Sequence, residues 1–337
     1  MTNAHGAGRL AAIHASRAGM RAKTATIPDI RGVPLIIPCQ EIPPDGTEGA
    51  GFITPIAEQW SALTRPVPLG GAEMLLAVPK GEARIAAMLR AEMPWLAPAI
   101  DHIARAAALA LWAGQPWLAF PPLLLVGPPG CGKTHFANRL AELAGVGSAA
   151  LSLAGIANNA ELAGSPRGFK YPQPSLAACT IGRSGTGNPV IIIDEVEKAG
   201  GSPEMGDARQ TLLTFLEPAS ARAHFDGCLA APIDLSHVNW ILTANSVHGL
   251  SGPLLSRLSV IEVAGPAPEH AESVLASLLQ AQAARWDLPC SAFPALDRAI
   301  EDELLAQFRR HRSVRRMRKA LASILAIAAR EHVHAIH

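Results

Sequence analysis

Four short runs dominate the hydrophobic pattern of the chain: Leu123–Val126, Val190–Ile193, Trp240–Thr243 and Ser259–Val263. Their apolar residues are nearly continuous instead of alternating with polar ones, which predicts strands buried on both faces. Helical or loop stretches separate them, the clearest being a helix over Thr134–Ala144. Strands alternating with helices imply a parallel sheet covered on both sides. Ahead of the first strand, Glu82–Trp112 reads as helix broken around Pro94–Pro98. After Gly265-Pro266-Ala267-Pro268 the strand signals stop, and the stretch to about Arg330 reads as three or four helices. The first 80 or so residues are rich in Pro and Gly, with short extended runs at Val33–Pro38 and Met74–Val78. The pattern thus divides into an N-terminal arm over residues 1–84, an α/β domain over 85–264 and a small all-α domain over 265–337.

Composition narrows the class. With 49% hydrophobic residues in 337, the chain has ample material for a core and is not a largely disordered polymer. A net charge of +1 argues against a general nucleic-acid-coating protein, which needs a broad basic field. Ala106–Val126 is long and apolar enough to span a bilayer. Gly114, Gln115, Pro116, Pro121 and Pro122 interrupt it, so it reads as a buried helix followed by a central strand, and no membrane association is expected. Five cysteines without a CxxC pair read as reduced thiols of a cytoplasmic protein. The first 28 residues carry Arg9, Arg17, Arg21 and Lys23 without an acid; they read as a disordered basic terminus in preference to a transit peptide. His332, His334 and His337 read as a solvated tail.

Chemistry enters directly after the first apolar run. Gly127-Pro128-Pro129-Gly130-Cys131-Gly132-Lys133-Thr134 fits GxxxxGK[ST] between a strand and a helix, followed by His135. Such glycines let backbone N–H groups wrap a phosphate, and the helix N-terminus adds partial positive charge. Lys133 is placed to reach the β- and γ-phosphates of ATP, and the Thr134 hydroxyl to ligate Mg²⁺. About 60 residues later, Val190–Ile193 ends in Asp194 and Glu195. In a parallel sheet those acids emerge at the same edge as the phosphate loop. Asp194 then suits Mg²⁺, and Glu195 the attacking water. The third strand ends in Asn245, an amide able to bond the γ-phosphate or that water.

Taken together, these residues resemble an AAA+ ATPase, and within that class the ATPase module of Lon proteases. The resemblance covers roughly residues 90–330. It is most specific at Asn188–Lys198, Gly206-Asp207, Leu216-Glu217-Pro218, Phe225-Asp226, Pro232–Ser236, Thr243-Ala244-Asn245 and Gly252–Leu258. It implies a P-loop domain with a parallel sheet and a small α-helical lid. Asn245 corresponds to sensor 1. Arg257 corresponds to the arginine finger, supplied to a neighbouring subunit's ATP, which implies a homo-oligomer, a hexameric ring or spiral. Arg315, in Ser313-Val314-Arg315, corresponds to sensor 2. Phe169, with Lys170 and Tyr171, falls at the substrate-gripping pore loop, although Lys170, Tyr171 and Pro172 replace the small residues usual there.

The chain ends shortly after the lid helices, so it is expected to hydrolyse ATP without Lon's Ser–Lys peptidase. Its expected partner is a protein substrate or complex. Two alternatives stay open: a nucleic-acid-linked motor or loader using the basic run Arg309–Lys319, and a scaffold whose assembly ATP switches.

Overall fold

The computed structural model describes residues 84–336, apart from 116, 155–158, 170–171, 200, 203–205 and 287–295. Val33–Pro38, Met74–Val78, Lys170, Tyr171, His337 and the side chains of His332 and His334 lie outside the described residues.

The helical stretch ahead of the first strand is two helices, α1 (Arg84–Glu92) and α2 (Ala97–Trp112), joined by a 3₁₀ turn at Pro94–Leu96. Pro94 and Pro98 sit in the first turns of their elements, where a missing N–H costs nothing. Then follow β1 (Leu123–Val126), α3 (Lys133–Ala144), β2 (Ser148–Ser152), α4 (Ala160–Ala163) and α5 (Leu176–Ser184). Gly145 and Gly185, both left-handed, stop α3 and α5. Next come β3 (Val190–Asp194), a two-residue ribbon of β4 (Gly201–Ser202) and β5 (Gly206–Asp207), α6 (Ala208–Leu216) and α7 (Pro218–Arg222). A hairpin of β6 (His224–Asp226) and β7 (Ala231–Ile233) precedes β8 (Asn239–Ala244), α8 (Gly252–Leu255) and β9 (Ser259–Glu262). Three helices close the chain: α9 (Ala271–Arg285), α10 (Arg298–His311) and α11 (Val314–Ile336).

The main sheet has the order β2-β3-β8-β1-β9, and every pairing in it is parallel. The chain leaves β1 for the far edge, returns through β3 and β8, then passes to the other side of β1 with β9. That reversal makes the carboxyl end of β1 a topological switch point, the usual place for a ligand in an open α/β sheet.

The continuous apolar strands are explained by two cores. Leu123, Leu125, Val190, Ile192 and Ile241 face one layer with Ile100, Phe136 and Leu140. Leu124, Ile191, Ile193, Trp240 and Leu242 face the other with Ile181, Leu212 and Phe215. On β1, β3 and β8 neighbouring residues bury on opposite faces, so no polar alternation survives; β9, expected to be buried as well, is an edge strand whose residues alternate between half-buried and exposed. A third cluster, including Val274, Leu275, Leu304, Phe308 and Leu321, joins α9, α10 and α11, with Trp95 packed against it. Helix α9 is tied to α1 by Ser277, whose Oγ donates to the Glu92 carbonyl at 2.8 Å. Glu92 in turn takes a two-pronged pair from Arg139 of α3, with N–O separations of 2.7–3.2 Å. No helix among the described residues is long and apolar enough to cross a membrane.

Candidate functional site

The loop Gly127–Gly132 runs from β1 into α3, and two of its glycines are dictated by geometry. A Cβ on Gly127 would lie 2.2 Å from the Val263 carbonyl oxygen, where the exit of β9 crosses the loop. Gly132, with φ +100°, adopts a conformation that L side chains rarely take. Lys133 opens α3 and is nearly buried; its Nζ donates to the carbonyls of Gly127 at 2.7 Å and Pro128 at 3.1 Å. The ammonium is thereby folded along the loop it follows.

Thr134 Oγ1 donates to Asp194 Oδ2 at 3.0 Å, joining the loop to the end of β3. The other Asp194 oxygen accepts from the Thr243 hydroxyl, on the fully buried β8 between β1 and β3. Thr243 Oγ1 also accepts from the Glu195 backbone N–H at 3.3 Å. Glu195 is one of the few non-glycine residues with positive φ, at 55°. Such a conformation costs free energy and collects at functional sites. Its carboxylate is paired with the Lys198 ammonium at 2.5 Å, and that hydrogen bond raises the lysine pKa. Asn245 follows β8 directly; both its backbone N–H and its side-chain Nδ2 donate to Glu197 Oε1.

These groups open onto one cavity of about 320 Å³. Gly130–His135, Asp194, Glu195 and Asn245 form its sheet side. Arg315 and Arg318 of α11 line it from the lid side. Helices α9 and α11 and the stretch Met93–Trp95 contribute apolar wall, through Val274, Leu278 and Val314 with Met93 and Trp95. The Trp95 indole Nε1–H donates to the Cys131 carbonyl at 2.8 Å, so this wall is anchored to the phosphate loop itself. Burial pushes the Cys131 thiol pKa up, against the nearby Lys133 charge. Burial, followed by the charge of Arg318, pushes the His135 imidazole pKa down.

Trp95 and Arg318 were missed as site residues. The only signal for Arg318 was its spacing of three from Arg315, which puts both on one helix face. Trp95 carried no signal, since only the folded chain brings it to the loop 36 residues later.

Four predicted residues among those described do not line the cavity: Gly127 and Pro128, whose carbonyls accept from Lys133, and Arg257 and Phe169. Arg257 lies just past α8, and its guanidinium pairs with Glu217, Nε at 3.0 Å and Nη2 at 2.9 Å, while Nη1 donates to the Pro253 carbonyl. Phe169 is 65% exposed on a loop closed by an antiparallel bridge between Ser165 and Gln173.

Residues 123–265 match the family model of the ATPase family associated with various cellular activities (AAA). This segment is an AAA+ ATPase domain. Over 212 residues the chain is 34% identical to the peroxisomal Lon protease homolog 2 of Pichia angusta, covering 61% of this chain and 22% of that one. Over 206 residues it is 33% identical to the Lon protease of Porphyromonas gingivalis, covering 61% of this chain and 24% of that one. The chain therefore spans about a quarter or less of the length of these relatives. The AAA+ fold also aligns with a solved structure, the S. cerevisiae Hsp104:casein complex in its extended conformation. There the TM-score is 0.57 and the identity 16%, over 74% of this chain and 46% of that one. The AAA+ domain with its C-terminal helices resembles the ATPase module of Lon, as the sequence motifs implied.

Proposed function

We propose that the chain is an ATP-hydrolysing AAA+ motor of Lon-like type, remodelling a protein substrate or partner complex as a homo-oligomeric ring, a hexamer. The observation that carries this is convergence: Lys133, Thr134, Asp194, Glu195 and Asn245, from three separate stretches of sequence, line one cavity under two lid arginines. Domain limits of 85–264 for the nucleotide domain and 265–337 for the lid fit that arrangement, with 1–84 as an arm.

The residues present suit ATP and Mg²⁺. Loop N–H groups and Lys133 offer donors to phosphate oxygens. The Thr134 hydroxyl and Asp194 carboxylate, 3.0 Å apart, are hard oxygen donors suited to Mg²⁺. When bound, the metal supplies charge neutralisation on the phosphate oxygens. Lys133 exchanges its loop carbonyls for the β- and γ-phosphates, Glu195 orients and deprotonates the attacking water, and Asn245 holds that water. Arg315 supports the phosphates from the lid of the same subunit. Arg257, held outward by Glu217, serves the site of the neighbouring subunit. Phe169, with Lys170 and Tyr171, grips the polypeptide. The free thiols of Cys131 and Cys179 support a reducing, cytoplasmic setting.

The test is Glu195→Gln, which keeps the shape of the site and removes the base. It is expected to bind ATP as the parent does while turnover falls at least about a hundredfold. Rapid hydrolysis by this variant sinks the role given to Glu195; failure of the parent to hydrolyse ATP sinks the ATPase itself.

A further inference from the structure

Glu197 is absent from the nucleotide motifs, yet its carboxylate occupies a specific place. Beyond Glu195 the chain turns through a 3₁₀ segment, Val196–Lys198, closed by the Lys198 N–H donating to the Glu195 carbonyl at 2.9 Å. That turn swings Glu197 across the carboxyl end of the sheet to the neighbouring strand. There its Oε1 accepts from the Asn245 backbone N–H at 3.1 Å and from Asn245 Nδ2 at 2.9 Å. Its Oε2 is buried and finds no donor among the described residues. A buried carboxylate oxygen in that condition is costly, so local packing does not account for the choice of glutamate.

Chemistry removes one ambiguity at Asn245. An asparagine amide can ordinarily turn over with little change of shape. A carboxylate only accepts, so the amide nitrogen must face Glu197. The amide is gripped at two points, and its oxygen is left as the group turned away from Glu197. Asn245 lines the cavity and Glu197 does not. We infer that Glu197 is a positioning residue: it fixes the Asn245 amide so that Oδ1 acts as an acceptor toward the attacking water. This rests on the ATPase function proposed above. A water donating one proton to Glu195 and the other to Asn245 Oδ1 has its lone pair left to aim at phosphorus. With the amide free to flip, an N–H replaces the acceptor and the water is no longer oriented.

The experiment is a double-mutant cycle on steady-state ATP hydrolysis, with Glu197→Ala, Asn245→Ala, the double variant and Glu197→Gln. Glu197→Ala is expected to lower kcat about tenfold with KM for ATP within about twofold, the mark of an effect on the transition state. In the Asn245→Ala background the same change is expected to do nothing further, because the residues act as one unit. Glu197→Gln, whose carbonyl still accepts from both N–H groups, is expected to stay within about threefold of the parent. Equal losses from Glu197→Ala with and without Asn245, or a loss confined to KM, overturn the assignment. A second measurement needs no turnover and leaves Glu197 in place. In protein labelled with ¹⁵N-asparagine, one side-chain amide should show slow hydrogen exchange and disappear from the spectrum on Asn245→Ala. Rapid exchange of that amide overturns the contact even if the parent proves inactive, whereas an inactive parent with a protected amide counts against the ATPase function alone.

Discussion

His135 sits one residue past Thr134, in the first turn of α3, where burial and the lid's Arg318 both disfavour its protonated form. His224, on β6, is likewise held below the usual histidine range by burial. A histidine whose folded pKa is depressed binds fewer protons folded than unfolded at mildly acidic pH. Stability therefore rises with pH there, and is lost as pH falls below the unfolded value of about 6.5. The midpoint of urea unfolding is expected to drop between pH 7 and pH 5.5, and His135→Asn should make that drop shallower. An unchanged slope in the variant removes His135 from the effect. A bound triphosphate opposes Arg318 and favours the protonated imidazole, so ATP should also flatten the dependence. At this scale the sequence was legible wherever chemistry demands a fixed spacing. The loop from Gly127 to Thr134 and the acids after β3 were found because each strand end delivers its residues to one edge. Arg318 and Trp95 reach the cavity by the packing of the lid and the 3₁₀ turn, which leaves no local pattern to read.

Among the elements, the loop of Phe169 and the β6–β7 hairpin are fastened together by a single buried carboxylate. Asp226, 1% exposed, accepts from the backbone N–H groups of Ser175 at 2.9 Å, Cys228 at 3.0 Å and Leu229 at 3.1 Å. Ser175 is also the N-cap of α5, its hydroxyl accepting from the Ala178 N–H. Arg167 adds a donor from the other side, Nε to the Cys228 carbonyl at 2.7 Å. Removing the carboxylate strands three donors at once, the Ser175 N–H fully buried and the other two part-buried. Asp226→Ala is expected to cost on the order of 3–5 kcal/mol in denaturant unfolding. A loss below about 1 kcal/mol shows that the hairpin and loop do not depend on it. Residues of this kind are visible in sequence only through family resemblance, since one aspartate in a polar stretch says nothing of what it accepts. The same limit hid β2. Ser148-Ala149-Ala150-Leu151-Ser152 is an edge strand, exposed or half-buried along its length, and its small residues produce no apolar run. The buried interior strands β1, β3 and β8 were read to within a residue or so at each end, because packing on both faces forces continuous hydrophobic sequence.

The assembly proposed above turns on Arg257, which does not line the cavity of its own chain and is braced by Glu217 and the Pro253 carbonyl. On that proposal the half-buried guanidinium, held in one orientation by these contacts, is the group lent to a phosphate of another copy. Arg257→Ala and Glu195→Gln should each abolish turnover alone, for different reasons: one lacks the finger it lends, the other the base it keeps. Mixed in equal amounts, roughly a quarter of the interfaces in a cyclic oligomer join an intact Glu195 to an intact Arg257. Turnover is therefore expected to return in the mixture toward that fraction of the parent rate, and to rise steeply with total protein concentration. A mixture as inactive as its components places Arg257 outside any active site and removes the need for a ring. The same assay, run with an unfolded polypeptide or with DNA, separates the kinds of client. Stimulation by polypeptide supports gripping by the Phe169 loop. Stimulation by DNA alone shifts the function to the basic run Arg309–Lys319, at the end of α10 and the start of α11, and no response to either leaves ATP governing assembly.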